Sequence, residues 1–80
     1  MSPGVELRWP YGGANVHLMG SFDGWTSGIP CDEEGVARLP PIPRGTTIQY
    51  KWVVDGRWLI DLAAPIAGHG DGANNLLTLG

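Results

Sequence analysis

Two tryptophans stand where the chain should be turning. Trp25 closes the segment Gly20-Ser21-Phe22-Asp23-Gly24-Trp25, and Trp58 follows Val54-Asp55-Gly56-Arg57. Core indoles sit among apolar neighbours, whereas Gly, Asp and Arg mark exposed turns. An exposed indole offers a flat apolar face with a polar N–H on its edge. Its complement is another flat, partly apolar object, such as the C–H face of a sugar ring or a nucleobase. A single ammonium lies between the two tryptophans in the chain. Lys51 falls within Thr47-Ile48-Gln49-Tyr50-Lys51-Trp52-Val53-Val54, where Ile48, Tyr50, Trp52 and Val54 share one side. Taking that side as the core sends Lys51 outward with Gln49 and Val53. Trp9 and Trp52 alternate with core positions and read as packing residues.

Other chemistries find less support. Cys31, His17 and His69 are too widely spaced for a metal signature, and both histidines read as neutral surface groups. A glycosidase needs two carboxylates flanking a cleft. Asp32, Glu33 and Glu34 form a solvated turn, and Asp23 and Asp55 are accounted for by turn chemistry. Eighty residues leave little room for a deep catalytic cleft. No catalytic residue, metal or cofactor is therefore expected.

The elements that must position the tryptophans are short strands. Val5-Glu6-Leu7-Arg8-Trp9 alternates strictly, as a half-buried strand does. Val16-His17-Leu18-Met19 is a second strand, and Ile29-Pro30-Cys31 a short extended piece. Val36-Ala37-Arg38-Leu39 ends at Pro40-Pro41-Ile42-Pro43, which places the strand or its exit at a sheet edge. Thr47–Val54 carries the strongest β signal, and Asp55-Gly56 is a hairpin dipeptide leading into Arg57-Trp58-Leu59-Ile60. Residues 61–73 read as loop, and Asn74–Leu79 as a last strand. About seven short strands with no helix predict an all-β sandwich.

Composition narrows the class further. Gly 13 and Pro 7 make a quarter of the 80 residues, which suits many tight turns. A net charge of -3 with five Lys and Arg disfavours a phosphate-binding surface, so no nucleic-acid partner is expected. No basic amphipathic stretch or bilayer-length apolar run points to a membrane. The lone Cys31 excludes an internal disulfide and leans towards a reducing compartment.

Gly20-Ser21-Phe22-Asp23-Gly24-Trp25, then Gln49-Tyr50-Lys51-Trp52-Val53-Val54-Asp55-Gly56-Arg57-Trp58, then Asp61 with Pro65-Ile66 and Asn74-Asn75 resemble one family in order and spacing. It is the glycogen-binding domain of AMP-activated protein kinase β subunits, within the family-48 carbohydrate-binding modules that also occur on isoamylases and branching enzymes. The resemblance runs from Val5 to Leu79. Either motif alone is weak, and together they are specific. The resemblance implies an immunoglobulin-like β-sandwich that binds α-1,4-linked glucans without cutting them. Residues 1–80 would then be one module of a larger protein, working inside the cell in cytosol or plastid. Trp25 and Trp58 match the stacking tryptophans of the family, Lys51 the lysine that hydrogen-bonds sugar hydroxyls, and Asn74 the asparagine that does the same. Asn75 joins them as a candidate, although adjacent strand residues face opposite ways. Two indoles set at an angle suit the curve of amylose, whereas a flat platform suits cellulose. Partners implied are an α-glucan and, on the docking role of some members, kinase or glucan-metabolising enzyme subunits.

The chain departs from the family in two places. Gly70-Asp71-Gly72 stands where the kinase subunits carry a bulky Leu and then a Thr, so the leucine that inserts against bound sugar has no counterpart. The first turn reads Asp23-Gly24 in place of two asparagines.

Overall fold

The long run of β-branched and aromatic residues at Thr47–Val54 is the central strand of the molecule. In the computed structural model, which describes residues 4–79, eight strands and two single turns of 3-10 helix follow in chain order. The strands are β1 (Val5–Arg8), β2 (Val16–Gly20), β3 (Ile29–Pro30), β4 (Val36–Leu39), β5 (Thr47–Val54), β6 (Arg57–Leu59), β7 (Ile66–Ala67) and β8 (Asn74–Thr78). All pairings are antiparallel. One edge of β5 pairs with β2. Its other edge is shared: Trp52–Val54 pair with β6, and Thr47–Tyr50 pair with β8. With β3 and β7 at the margins, these make a six-stranded sheet. β1 and β4 form a second, two-stranded sheet, and β4 is an edge strand that the prolines follow.

The core lies between the two sheets. β5 contributes Ile48, Tyr50, Trp52 and Val54, the side expected from the alternation. β2 adds Leu18, and β4 adds Ala37 and Leu39. Trp9 packs against Trp52 with ring centroids 5.7 Å apart, so both tryptophans read as packing are core residues. Each large apolar side chain so buried is worth about 1.5–3 kcal/mol. The chain is thus an all-β sandwich. The strand not foreseen is β7, in the stretch expected to be loop: Ile66 and Ala67 pair with Asn75 and Asn74 for two residues only.

One turn fixes the geometry around Trp58. Asp55 and Gly56 both have positive φ, 49° and 83°, which is what a two-residue hairpin between twisted strands requires. The Asp55 carboxylate also accepts hydrogen bonds from the Ala14 and Asn15 amides, the shortest 2.8 Å. Asp55 N in turn donates to the Asn15 carbonyl. The β1–β2 loop is thereby tied to the β5–β6 hairpin.

Candidate functional site

Register decides which side chains share the outer face of the large sheet. Residues directly opposite each other point the same way. Trp58 lies opposite Val53, which lies opposite His17 on β2. Lys51 is opposite Met19, and Gln49 is opposite Leu76. Asn74 joins this face, since its Nδ2 donates to Gln49 Oε1 at 3.0 Å. The outer face therefore carries Trp58, Lys51, Gln49 and Asn74 on an apolar floor of Val53, Met19 and Leu76. Trp58 is 52% exposed, far more than a packing residue of its size. Lys51 Nζ donates to the Asp71 carbonyl at 3.0 Å, which leaves two of its three protons unused among the described residues.

Trp25 is placed by a loop folded around one carboxylate. Gly20 ends β2, and Ser21–Asp23 make a single 3-10 turn. A Cβ on Gly20 would lie 2.5 Å from the Phe22 ring, so only glycine lets that ring seat against the strand end. The Gln49 amide donates to Ser21 Oγ, and the Trp25 amide to the Gly20 carbonyl. The Asp23 carboxylate accepts from the amides of Thr26, Ser27 and Gly28, the last at 2.8 Å. Those amides, Gly28 foremost, pull its pKa below the ordinary aspartate value. Trp25 takes φ 64°, a left-handed conformation costly for a bulky residue and held here by the surrounding bonds. Trp25 is 36% exposed. It hangs from the Gly20–Tyr50 row, three residues along β5 from the Val53–Trp58 row, or roughly 10 Å at the rise of a strand. Lys51 falls between the two rows.

Asn75 goes elsewhere. It pairs with Tyr50 on the inward side and is fully buried. Its Oδ1 accepts from the Asp61 amide at 2.7 Å, and its Nδ2 donates to the carbonyls of Asp61 and Pro65. Every polar atom of the side chain is engaged within the fold, so the sugar contact considered for Asn75 is replaced by a structural duty. The alternation of strand residues sends Asn74 and Asn75 to opposite faces. Gln49, by contrast, reads from the sequence as an outward strand residue at the head of the second motif, with no role of its own. Its hydrogen bond with Asn74 brings it into the candidate site.

Gly70–Gly72, the stretch that departs from the family pattern, is a 3-10 turn. It contributes a backbone carbonyl to Lys51 where an apolar side chain was absent from the sequence.

Three of the carboxylates weighed as catalytic candidates hold parts of the fold together. Asp23 and Asp55 hold loop amides, and Asp61 Oδ1 accepts from the Tyr11 hydroxyl at 2.7 Å and from the Ala63 amide at 2.9 Å. No group of three or more His, Cys, Asp and Glu able to hold a metal ion occurs among the described residues. No helix there is long and apolar enough to cross a membrane.

Residues 4–79 match the family described as the glycogen recognition site of AMP-activated protein kinase. The chain is similar to protein PTST homolog 2, chloroplastic, of Arabidopsis thaliana, at 37% identity over 77 residues, covering 94% of this chain and 14% of that protein. It is similar to the 5'-AMP-activated protein kinase subunit beta-2 of Homo sapiens, at 35% over 74 residues, covering 89% of this chain and 27% of that subunit. It is also 35% identical over 77 residues to protein FLOURY ENDOSPERM 6, chloroplastic, of Oryza sativa subsp. japonica, covering 94% and 15%. The chain thus spans no more than 27% of the length of these relatives.

Proposed function

The chain belongs to the family of glycogen recognition sites of AMP-activated protein kinase, and on that premise we propose that it is a non-catalytic module that binds α-1,4-linked glucans and carries a larger parent protein to them. The observation that carries this reading is the outer face itself. A half-exposed indole, Trp58, shares one sheet surface with Lys51, Gln49 and Asn74, whose polar groups are only partly used. Indole covers the C–H face of a glucose ring and leaves its hydroxyl rim to the polar groups. Trp25 supplies a second stacking surface some way along β5, and Asn75 is a positioning residue that braces the strand carrying Asn74. Glycogen, starch, maltooligosaccharides and cyclodextrin are the ligands proposed. The module works inside the cell, in cytosol or plastid, where such glucans are stored. Two relatives are named chloroplastic.

Tryptophan fluorescence titrated with β-cyclodextrin and with cellohexaose tests the reading. A saturable change with the cyclodextrin alone, lost in Trp58→Ala, is the expected result. A folded protein that responds to neither sugar would remove it.

A second reading has one observation in its favour. Lys51 is already bonded to the Asp71 carbonyl of the 70–72 turn, so part of its donor capacity is used within the chain. On this reading the same face docks a kinase or glucan-metabolising subunit and binds sugar weakly or not at all. A partner captured from cell extract and retained in excess maltoheptaose would favour docking. Release by the sugar would favour the glucan site.

A further inference from the structure

The molecule has a second aromatic surface that the proposed site does not use. Trp9, Tyr11, Ile60, Leu62 and Ala63 line an apolar hollow of about 550 Å³, within the range of roughly 300–1,000 Å³ typical of ligand pockets. Tyr11 is 58% exposed and Leu62 80% exposed, so the lining faces solvent.

The Tyr11 ring is held in place from two sides. Trp9 meets it edge to face at 4.8 Å, and its hydroxyl donates to Asp61 Oδ1 at 2.7 Å. Its loop is anchored in turn through the Asp55 carboxylate. A fixed, exposed aromatic face costs little to order when a ligand arrives. Asp61 Oδ2 takes no hydrogen bond from the described residues, so a carboxylate oxygen stands ready beside the ring for a hydroxyl.

Part of the chain that lines the hollow runs directly on from the strand that carries Trp58. Trp58 and Leu59 alternate across β6, which pairs with β5 alone and so presents an open edge. Ile60 and Leu62 follow Trp58 by two and four residues, so Leu62 Cα is at most roughly 14 Å from Trp58 Cα. A maltooligosaccharide of a few rings covers that span.

Resting on the glucan-binding reading above, we propose that the Tyr11–Leu62 hollow is a second glucan subsite. A linear α-glucan stacked on Trp58 continues over the β6 edge and lays a further ring on Tyr11, with a sugar hydroxyl donating to Asp61. The occupant is thus a further stretch of the same linear chain. A closed cyclodextrin has no free end to make that crossing.

The test compares β-cyclodextrin with maltoheptaose, which has the same number of glucose units, by calorimetric titration of the wild-type chain and of Tyr11→Ala and Leu62→Ser. Both positions are exposed, so the variants should fold. A circular dichroism melt checks this, and Tyr11→Phe, which keeps the ring, serves as a second variant. Base stacking on aromatics is worth about 1–3 kcal/mol by alanine substitution, and taking the low end for a sugar gives roughly a fivefold loss of maltoheptaose affinity in Tyr11→Ala. Cyclodextrin affinity should stay unchanged, and Tyr11→Phe should retain most of the maltoheptaose binding. Equal affinities for maltoheptaose in wild type and Tyr11→Ala would overturn the subsite. So would an equal loss for both sugars, which would mean that Tyr11 acts only through the shared face. If the wild-type chain binds neither sugar, the underlying glucan reading has failed and the subsite falls with it.

Discussion

Asn74 and Asn75 are neighbours of identical chemistry, and the two faces of the large sheet put them to opposite uses. Asn75 points inward, is fully buried and spends all its hydrogen-bonding capacity on the backbone of Asp61 and Pro65. Asn74 points outward, makes one bond to Gln49 and keeps its carbonyl oxygen unused among the described residues. The same division runs along β5. Ile48, Tyr50, Trp52 and Val54 are locked in the core, whereas Gln49 and Lys51 on the other side are each held by single contacts. The inner-face asparagine is saturated, although the buried Trp52 Nε1 on that side has no partner among the described residues, and the outer face is steadied but unsaturated. A surface that has ordered its side chains without exhausting their donors and acceptors spends less entropy when it meets a ligand.

The most severe way to break this contrast is to damage the saturated side. Asn75→Ala leaves the Asp61 amide without a partner and takes one of two hydrogen bonds from each of the Asp61 and Pro65 carbonyls, which keep the Ala64 and Leu76 amides. An unsatisfied polar group costs about 1–3 kcal/mol and each further hydrogen bond lost about 0.5–1.5 kcal/mol net, so a loss of about 3 kcal/mol is expected. A domain of this size has total stability of only about 4–12 kcal/mol. Urea unfolding should show the midpoint falling steeply. Asn74→Ala should move it within about 0.5 kcal/mol, as surface substitutions do. Equal losses for the two asparagines would mean that the faces do not divide the labour as described.

Next in size is the stacking surface. Trp58→Ala removes an indole that is half exposed and packs little against the core. Affinity for β-cyclodextrin should drop roughly fivefold or more, from a stacking contribution of about 1–3 kcal/mol. The melting temperature should hardly change. Trp52→Ala is the inverse case, with a cost of about 3–5 kcal/mol in stability for a buried tryptophan. Calorimetric titration and thermal melts on both variants read out the two axes separately. A large stability loss in Trp58→Ala would return that residue to the scaffold.

How much of this was legible in the sequence depended on whether the signal was local. The faces of β5 were readable because eight residues of strict alternation leave one assignment that buries the aromatics. The hairpin was readable from Asp55-Gly56, and the exposure of Trp58 followed from it. β7 was not, because Ile66 and Ala67 have no strand pattern of their own and extend only because β8 pairs with them. The duty of Asn75 was hidden for the same reason: its partners are backbone groups ten and fourteen residues away. In sequence Gly70–Gly72 reads as a missing leucine, and nothing local signals that its backbone meets Lys51. Gln49 went unnoticed because a glutamine on a strand surface has no signature until its neighbour across the sheet is known.

Lys51 sharpens the comparison at smaller scale. Its ammonium joins β5 to the 70–72 turn and keeps two protons for a ligand. Lys51→Met retains the stem that packs along the strand and removes only the charge and donors. Hydrogen bonds of net worth about 0.5–1.5 kcal/mol translate to a loss of roughly threefold to tenfold in cyclodextrin affinity. Amide exchange in the 70–72 turn should speed up in the same variant. If the turn loosens but affinity holds, the lysine is a brace and belongs with the saturated side.

The smallest expected effect concerns pH and the loop that presents Trp25. Three loop amides donate to the Asp23 carboxylate and hold its pKa below the ordinary value, the Gly28 amide most strongly. A carboxylate whose pKa is depressed on folding stabilises the folded loop fully above the unfolded value of about 3.9, and that stabilisation drains away as pH falls through the lower folded value. Wild-type protein should therefore keep the Gly28 amide protected at pH 5 and lose protection below about pH 4, with sugar-induced fluorescence change declining in step. Asp32 shifts in the same direction through Val36 and Arg38, but it lies on the β4 side, so the Gly28 amide isolates the loop. Asp23→Asn should show weaker protection that is flat across the same range, since its amide neither ionises nor gathers three donors as a carboxylate does. A wild-type loop indifferent to pH would place the ordering of Trp25 with Gly20 and Ser21 at the end of β2. The loop would then owe the placing of its indole to the strand rather than to the charge.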